Sequence, residues 1–362
     1  MTWDSFHGNA LITRFHLHLC HNLSKFSGET MNPTLSPPEY VTWLLTTRCN
    51  LRCEHCYVSS RSWGSELDKE RVLKLVEEAC EMGVRNLHLT GGEPLLRKDV
   101  FEILDAAENG ISVSLFTNLS GITRDKARRL SSLGIHVFTS VEGAVKNTHE
   151  AVRGPGAWDM LMRSISVLRE EEVGFTPIFS ISRLNAGEAG EFVRLAEKLG
   201  ASSAVLLPVM PFGRAADKDW NADAYSCVKA LHLAGEAADE LGFRITLWCM
   251  PFASLIVSSP YVSWDSCRIE RNMDIGPGGE VLLCDTLDIV VSDVRSKSLS
   301  EAWRELRSSW VLREILESNP CPDCSLSETC RGGCYARSYK RYGVFNNPDP
   351  LCPKILEASI AR

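Results

Sequence analysis

Val41-Thr42-Trp43-Leu44-Leu45-Thr46 runs directly into Thr47-Arg48-Cys49-Asn50-Leu51-Arg52-Cys53-Glu54-His55-Cys56-Tyr57. The first half is a short apolar run rich in β-branched and aromatic side chains and reads as a strand. The second half sets three thiols in eight residues, as C-x3-C-x2-C. Structural zinc takes four ligands, usually as two spaced pairs, so zinc here needs His55 or a remote residue to complete it. A cluster of four irons takes one thiolate per iron. Three thiolates leave one iron open to a small molecule, a site suited to one-electron chemistry. On spacing alone both metals stay open.

Outward from this loop, short apolar runs alternate with amphipathic stretches as far as Trp248. Asp68–Met82 carries Val72, Leu75, Val76 and Ala79 on one helical face, and Gly83 follows as a stop. Asn86–Thr90, Ser112–Thr117, His136–Val141, Thr176–Ser182, Ser203–Leu207 and Arg244–Trp248 read as further strands. Asp99–Asn109, Asp125–Leu133, Trp158–Glu171, Ala186–Leu199 and Ala222–Leu241 read as helices between them. About six βα units in series imply a parallel sheet, because parallel neighbours need a crossover. The expected fold is therefore α/β, open or curled into a partial (β/α)6 TIM-like barrel, with its active site at the carboxyl ends of the strands. Residues 1–39, ending in Pro33, Pro37 and Pro38, read as an N-terminal extension, 40–250 as the core domain and 251–362 as a smaller cysteine-rich domain.

That last segment holds Cys267, Cys284, Cys321, Cys324, Cys330, Cys334 and Cys352, and one convincing helix, Ser300–Leu316. With so little apolar periodicity it is expected to be held together by metal. Its order is C-x11-G-x4-C, a gap, C-x2-C-x5-C-x3-C, a gap, and C. The central part alone also fits a zinc ribbon.

Composition limits the function. The chain has 362 residues, 44% hydrophobic and 23% charged, an ordinary globular make-up. A net charge of −7 and the lack of a basic appendage count against nucleic-acid binding. No apolar run reaches the length of a membrane span, and no secretory leader is visible. The 14 cysteines are then expected as reduced thiols of a cytoplasmic protein, where thiolates mostly bind metal. Cys80 and Cys227 fall on helices as core thiols. Cys20 lies beside His16, His18 and His21 and reads as part of a solvated segment.

The C-x3-C-x2-C loop after the first strand resembles the signature of the radical S-adenosylmethionine (radical SAM) superfamily. Further motifs fall at successive strand ends: Gly91-Gly92-Glu93-Pro94, Thr117-Asn118, Ser140-Val141-Glu142-Gly143, and His149-Glu150-Ala151-Val152-Arg153-Gly154, which is similar to the family's H-x3-R-G element. The resemblance implies that Cys49, Cys53 and Cys56 hold a [4Fe–4S] cluster. It also implies that Tyr57, Gly91, Gly92, Glu93, Asn118, Ser140 and Arg153 bind S-adenosyl-L-methionine, with Pro208–Arg214 packing the adenine. Glu142 departs from the Asp found in many relatives. The implied reaction is reductive cleavage of S-adenosylmethionine to a 5′-deoxyadenosyl radical that takes a hydrogen atom from a substrate.

The seven later cysteines are similar to the SPASM extension of peptide and protein maturases, which carries two auxiliary [4Fe–4S] clusters. Carried over, Cys267, Cys284 and Cys334 hold the first, and Cys321, Cys324, Cys330 and Cys352 the second. Cys249 is a possible fourth ligand of the first; an open iron and an ordinary buried cysteine are the alternatives. Asp285, directly after Cys284, is the implied catalytic base, with a turn aspartate as its plain alternative. The expected function is an oxidoreductase-type maturase acting on a peptide or protein side chain by oxidation or cross-linking, fed by a donor such as ferredoxin or flavodoxin. Oxidation or decarboxylation of a tetrapyrrole side chain is the alternative within the superfamily, and a non-catalytic zinc-stabilised binding module the alternative outside it.

Overall fold

A computed structural model of the chain describes residues 35–355 apart from 60, 62, 108 and 109. The N-terminal extension, with Cys20 and its histidines, lies outside the described residues except for its last few positions.

Eight strands run parallel in sequence order: β1 (Tyr40–Thr46), β2 (Asn86–Gly91), β3 (Ser112–Thr117), β4 (His136–Ser140), β5 (Phe175–Ile181), β6 (Ala204–Pro208), β7 (Ile245–Leu247) and β8 (Val262–Trp264). The crossovers carry α1 (Lys69–Met82), α2 (Val100–Ala107), α3 (Arg124–Ser132), α4 (Lys146–Arg153) with α5 (Ala157–Glu170), α6 (Ala189–Lys198) and α7 (Ala224–Leu241). The helix ends follow local chemistry. Asp68 caps α1 by accepting from Arg71 N, and Gly83 closes it in the left-handed conformation. Asp223 and Ser226 form a capping box on α7. The helix α4, which carries the H-x3-R-G element, is not signalled by periodicity: His149 and Val152 are its buried residues.

Alternate strand residues bury one face, with Val41, Trp43, Leu87, Leu89, Val113, Leu115 and Val137 at most 6% exposed. The register aligns the opposite face in rows. One row is Thr42, His88, Ser114 and His136; a second includes Phe116 and Phe138. The Phe116 and Phe138 rings stack at 4.7 Å, and Trp248 closes on Phe138 at 5.4 Å.

The segment after residue 251 does more than surround metal. β9 (Asn272–Ile275) pairs parallel with β1, and β10 (Glu280–Leu282) and β11 (Val290–Asp293) follow antiparallel. The eleven strands form one sheet, ordered β11-β10-β9-β1 through β8. Met273, Ile275, Val281, Leu282 and Leu283 bury apolar surface there. The expected helix over Ser300–Leu316 is two, α8 (Leu299–Ser308) and α9 (Trp310–Glu317). Ser309 breaks them by taking extended backbone and capping Leu312 N. The short α10 (Ser327–Cys330) and α11 (Tyr335–Tyr342) complete the chain.

Candidate active site and metal centres

The cysteine loop leaves the carboxyl end of β1 and is gripped from three sides. The glycine-rich turn after β2 donates Gly92 N to Thr46 O at 2.7 Å and Glu93 N to Arg48 O at 2.8 Å. A Cβ on Gly91 would stand 2.6 Å from Thr46 O, and one on Gly92 would overlap Arg48 O. These glycines therefore let two backbones meet. The segment after β6 supplies Arg214, whose N donates to Cys56 O at 3.0 Å and whose Nε donates to Cys53 O at 2.7 Å. The third hold is Glu54 N on Val152 O of α4, at 2.9 Å.

Glu93 is fully buried. Its carboxylate accepts from Thr117 Oγ1 (2.6 Å), Asn118 N (2.7 Å) and Leu95 N (3.0 Å). Burial raises its pKa against those three bonds. It ties the ends of β2 and β3 together and keeps about one of its four lone-pair positions for a ligand amine. Asn118 Nδ2 donates to Asn50 Oδ1 at 3.1 Å and lies 3.8 Å from Cys49 Sγ. Ser140, half-buried, ends β4.

Glu142 is the centre of a network that motif reading underrated. Its Oε1 takes Arg153 Nη2 at 2.8 Å and lies 3.3 Å from His55 Nε2; its Oε2 accepts from Ser180 N at 2.9 Å. Burial opposes its charge, yet His55 and Arg153 hold the carboxyl well below the usual range. Glu142 N donates to His149 Nδ1 at 3.2 Å, and burial pushes that imidazole down to about 4. Burial raises the Cys53 thiol, and Arg153 is the largest influence against it. His55 Nδ1 and Arg153 Nε are buried without hydrogen-bond partners, so bonding capacity beside Cys53 is left for a polar ligand.

Tyr57 reaches across the molecule. Its hydroxyl donates to Asp285 Oδ2 at 2.6 Å, joining the first cysteine loop to the residue after Cys284. Burial and the Asp285 charge push the phenol pKa well up. Asp285 N donates to Asp274 Oδ2 at 2.8 Å, and Asp274 Oδ1 is buried without a partner. Burial, then Asp285, raises the Asp274 carboxyl above the carboxylate range. Asp274 escaped the motif search; a charge between Met273 and Ile275 in an apolar strand was its available signal.

The later cysteines gather into two sets. In one, the charge of Cys334 acts on Cys267, and that of Cys267 on Cys284. In the other, Cys324 acts on Cys321, and Cys352 and Cys321 act on Cys330. A backbone bond at Leu326 lowers the Cys324 thiol, and Lys354 Nζ, donating to its sulfur at 3.3 Å, adds to this. Spacing between thiols tests the metal. A zinc ion at its usual bond length draws sulfurs to about 3.8 Å apart. Among the described residues no three cysteine thiols lie within 4.8 Å of one another; the trio that meets this limit is Asp274, Cys284 and Asp285. No three of these thiols outline one tetrahedral ion, and thiols are the donors an iron–sulfur cluster takes.

Residues 43–196 match the profile of the radical SAM superfamily. The chain is 28% identical to the AdoMet-dependent heme synthase of Methanosarcina barkeri, over 87% of this chain and 96% of that one. It is 29% identical to the mycofactocin maturase MftC of Mycobacterium tuberculosis, over 88% and 83% respectively. The fold is that of Streptococcus suis SuiB bound to S-adenosylmethionine, with a TM-score of 0.70, 16% identity, and 88% of this chain and 77% of that chain covered.

Proposed function

We propose that this chain is a radical SAM enzyme, a reading supported by the match over residues 43–196, and that it modifies a peptide or protein side chain, by oxidation or cross-linking. We further propose that residues 251–362 act with it as a SPASM-like auxiliary-cluster domain. The observation that carries the reading is the Tyr57–Asp285 bond of 2.6 Å, which brings a carboxylate from the second cysteine region to the first cysteine loop. In this reading Cys49, Cys53 and Cys56 hold the first cluster, Cys267, Cys284 and Cys334 an auxiliary one, and Cys321, Cys324, Cys330 and Cys352 another. The chemistry that a [4Fe–4S] cluster and S-adenosylmethionine supply when bound is one-electron cleavage of the sulfonium and hydrogen-atom abstraction from a substrate.

The chain's own residues do the rest. Gly91, Gly92 and Arg214 fix the cysteine loop. Arg153 and Glu93 would bind the carboxylate and amine of S-adenosylmethionine, with Asn118, Ser140 and Tyr57 completing the site. After the substrate has lost a hydrogen atom, Asp285 would receive the proton and the auxiliary cluster of Cys267, Cys284 and Cys334 the electron that complete its oxidation, and Tyr57 aims that carboxylate. The proposed setting is a soluble one, with a small reducing protein as electron donor; among the described residues no helix is long and apolar enough to cross a membrane.

The heme synthase similarity carries a second reading, oxidation or decarboxylation of a tetrapyrrole side chain. Anaerobic incubation with deuterated peptide or deuterated porphyrin separates the two. Label entering 5′-deoxyadenosine from the peptide alone is the expected result, and label from the porphyrin alone reverses the assignment. Cys53→Ala is expected to abolish 5′-deoxyadenosine formation by at least ~10³-fold, since it removes one iron's ligand; wild-type cleavage in that variant refutes the cluster assignment.

A further inference from the structure

The two faces of the parallel sheet differ. On one, Val41, Leu87, Val113 and Leu115 are buried. On the other, the alternating residues Thr42, His88, Ser114 and Phe116 keep open surface, and so do Phe138 and Trp248. A closed barrel fills its interior with layers of side chains. Here the inward rows line an internal space instead.

That space has two layers. The one towards the carboxyl ends of the strands is aromatic: Phe116 and Phe138 stack at 4.7 Å, and Trp248 lies 6.1 Å from the first and 5.4 Å from the second. Rings set this way offer faces and edges to one more ring. Phe116 directly precedes Thr117, whose hydroxyl donates to Glu93, so this layer adjoins the proposed S-adenosylmethionine site. The deeper layer is polar, with Thr42, His88 and Ser114 side by side in register. Ser114 and Phe116 are two residues apart on β3, which sets the layers about 7 Å apart.

His88 carries the unspent chemistry of the deeper layer. Its ring lies between Tyr40 (5.3 Å) and Phe116 (5.5 Å), and burial pushes the imidazole down to about 4. Near pH 7 the ring is therefore neutral, with one donor and one acceptor. Among the described residues neither nitrogen has a hydrogen-bond partner. His136 and His149 are the contrast: Thr176 Oγ1 stands 2.9 Å from the first, and Glu142 N donates to the second at 3.2 Å. An enclosed polar group that keeps open surface but no partner calls for one from a ligand. The neighbouring charges select against an anion. Asp274 stands beside Thr42 in register, and Arg268, over the Tyr40 ring, is already bonded to Tyr40 Oη at 2.8 Å and Asp265 at 2.9 Å.

We propose that this space takes the reacting side chain of the substrate, an uncharged aromatic ring bearing one hydrogen-bonding group. The ring packs against Phe116, Phe138 and Trp248, and its polar edge reaches His88. Phenol, indole and imidazole side chains meet that description; a ring edge that carries a carboxylate does not. The inference rests on the peptide reading above and narrows it to peptides that present such a residue.

The test uses the reconstituted full-length enzyme and two small probes, p-cresol and toluene, titrated by calorimetry. p-Cresol is expected to bind about tenfold tighter than toluene, the worth of one enclosed hydrogen bond. His88→Leu should abolish that preference, His88→Gln should keep most of it, and Phe138→Ala should weaken both probes. No binding, equal affinity of the wild type for the two probes, or a preference that survives in His88→Leu overturns the assignment. Peptides identical but for one deuterated Tyr, Trp, His, Phe or Leu then separate the sources of the ring. Label is expected in 5′-deoxyadenosine from at least one of the first three and not from the last two. Equal transfer from the Phe or Leu peptide overturns this inference alone. No 5′-deoxyadenosine from any peptide, with the probe preference intact, overturns the peptide reading instead.

Discussion

In the proposed reaction the hydrogen-bonded Asp285 and Tyr57 handle the proton. Asp285→Ala should leave 5′-deoxyadenosine formation intact while product falls by about 10²–10⁴, the usual contribution of a positioned base. Tyr57→Phe removes one charge-assisted bond and should cost product about tenfold. Comparing 5′-deoxyadenosine with product in the same reaction checks both, and coupled losses in the Asp285 variant exclude the base role.

His149 is a second residue with a measurable signature. It accepts a backbone bond from Glu142 N, which requires the neutral ring, and its folded pKa of about 4 lies below the unfolded value near 6.5. Above pH 6.5 the ring is neutral in both states and contributes no pH dependence. As pH falls from 6.5 towards 4, the unfolded chain takes up a proton that the folded one refuses, so stability drops. At pH 5 this amounts to about 2 kcal/mol. His149→Gln retains an acceptor without the titration, so its Tm should fall less than that of the wild type between pH 7 and pH 5. Equal shifts would assign the acid sensitivity elsewhere.

At the scale of elements, legibility tracked burial. β1 to β6 and the long helices were readable because each buries a stripe of Val, Leu, Ile and Ala against the sheet. Their ends carried Asp68, Gly83 and Asp223, residues with one strong local preference each. β9, β10 and β11 were not readable. Each has three or four residues, with Gly276, Pro277, Gly278 and Gly279 between the first two, and each pairs along a neighbour's edge. The cysteine sets were visible by spacing, but Asp274, Arg214 and the Arg337–Asp349 pair act through contacts between distant segments, which no local pattern encodes. The break at Ser309 gives an element-level test. Its hydroxyl caps Leu312 N at 3.4 Å, so Ser309→Ala should cost about 1 kcal/mol, seen as a lower Tm with unchanged iron content. A variant as stable as the wild type would show that α9 is held by packing alone.

In the whole molecule, β1 stands at the interior of the sheet, flanked by β2 and β9. A chain ending at residue 250 would leave β1, the strand that launches the first cysteine loop, with an unpaired edge and would expose Ile275's and Met273's partners on the core side. Such a truncation should be mostly insoluble and should fail to retain a cluster at Cys49, Cys53 and Cys56. A soluble, iron-loaded fragment would make the two regions independent in stability.

The contact between Tyr57 and Asp285 spans 228 positions. A ribosome adding ~5–20 residues per second needs roughly 10–45 s to travel between them. For most of that interval the early thiols are outside the tunnel without their eventual cover. The nascent chain is thus most vulnerable to oxygen before its last third has been made, and delivery of iron and sulfide is best timed to release, when the finished polypeptide can close over them.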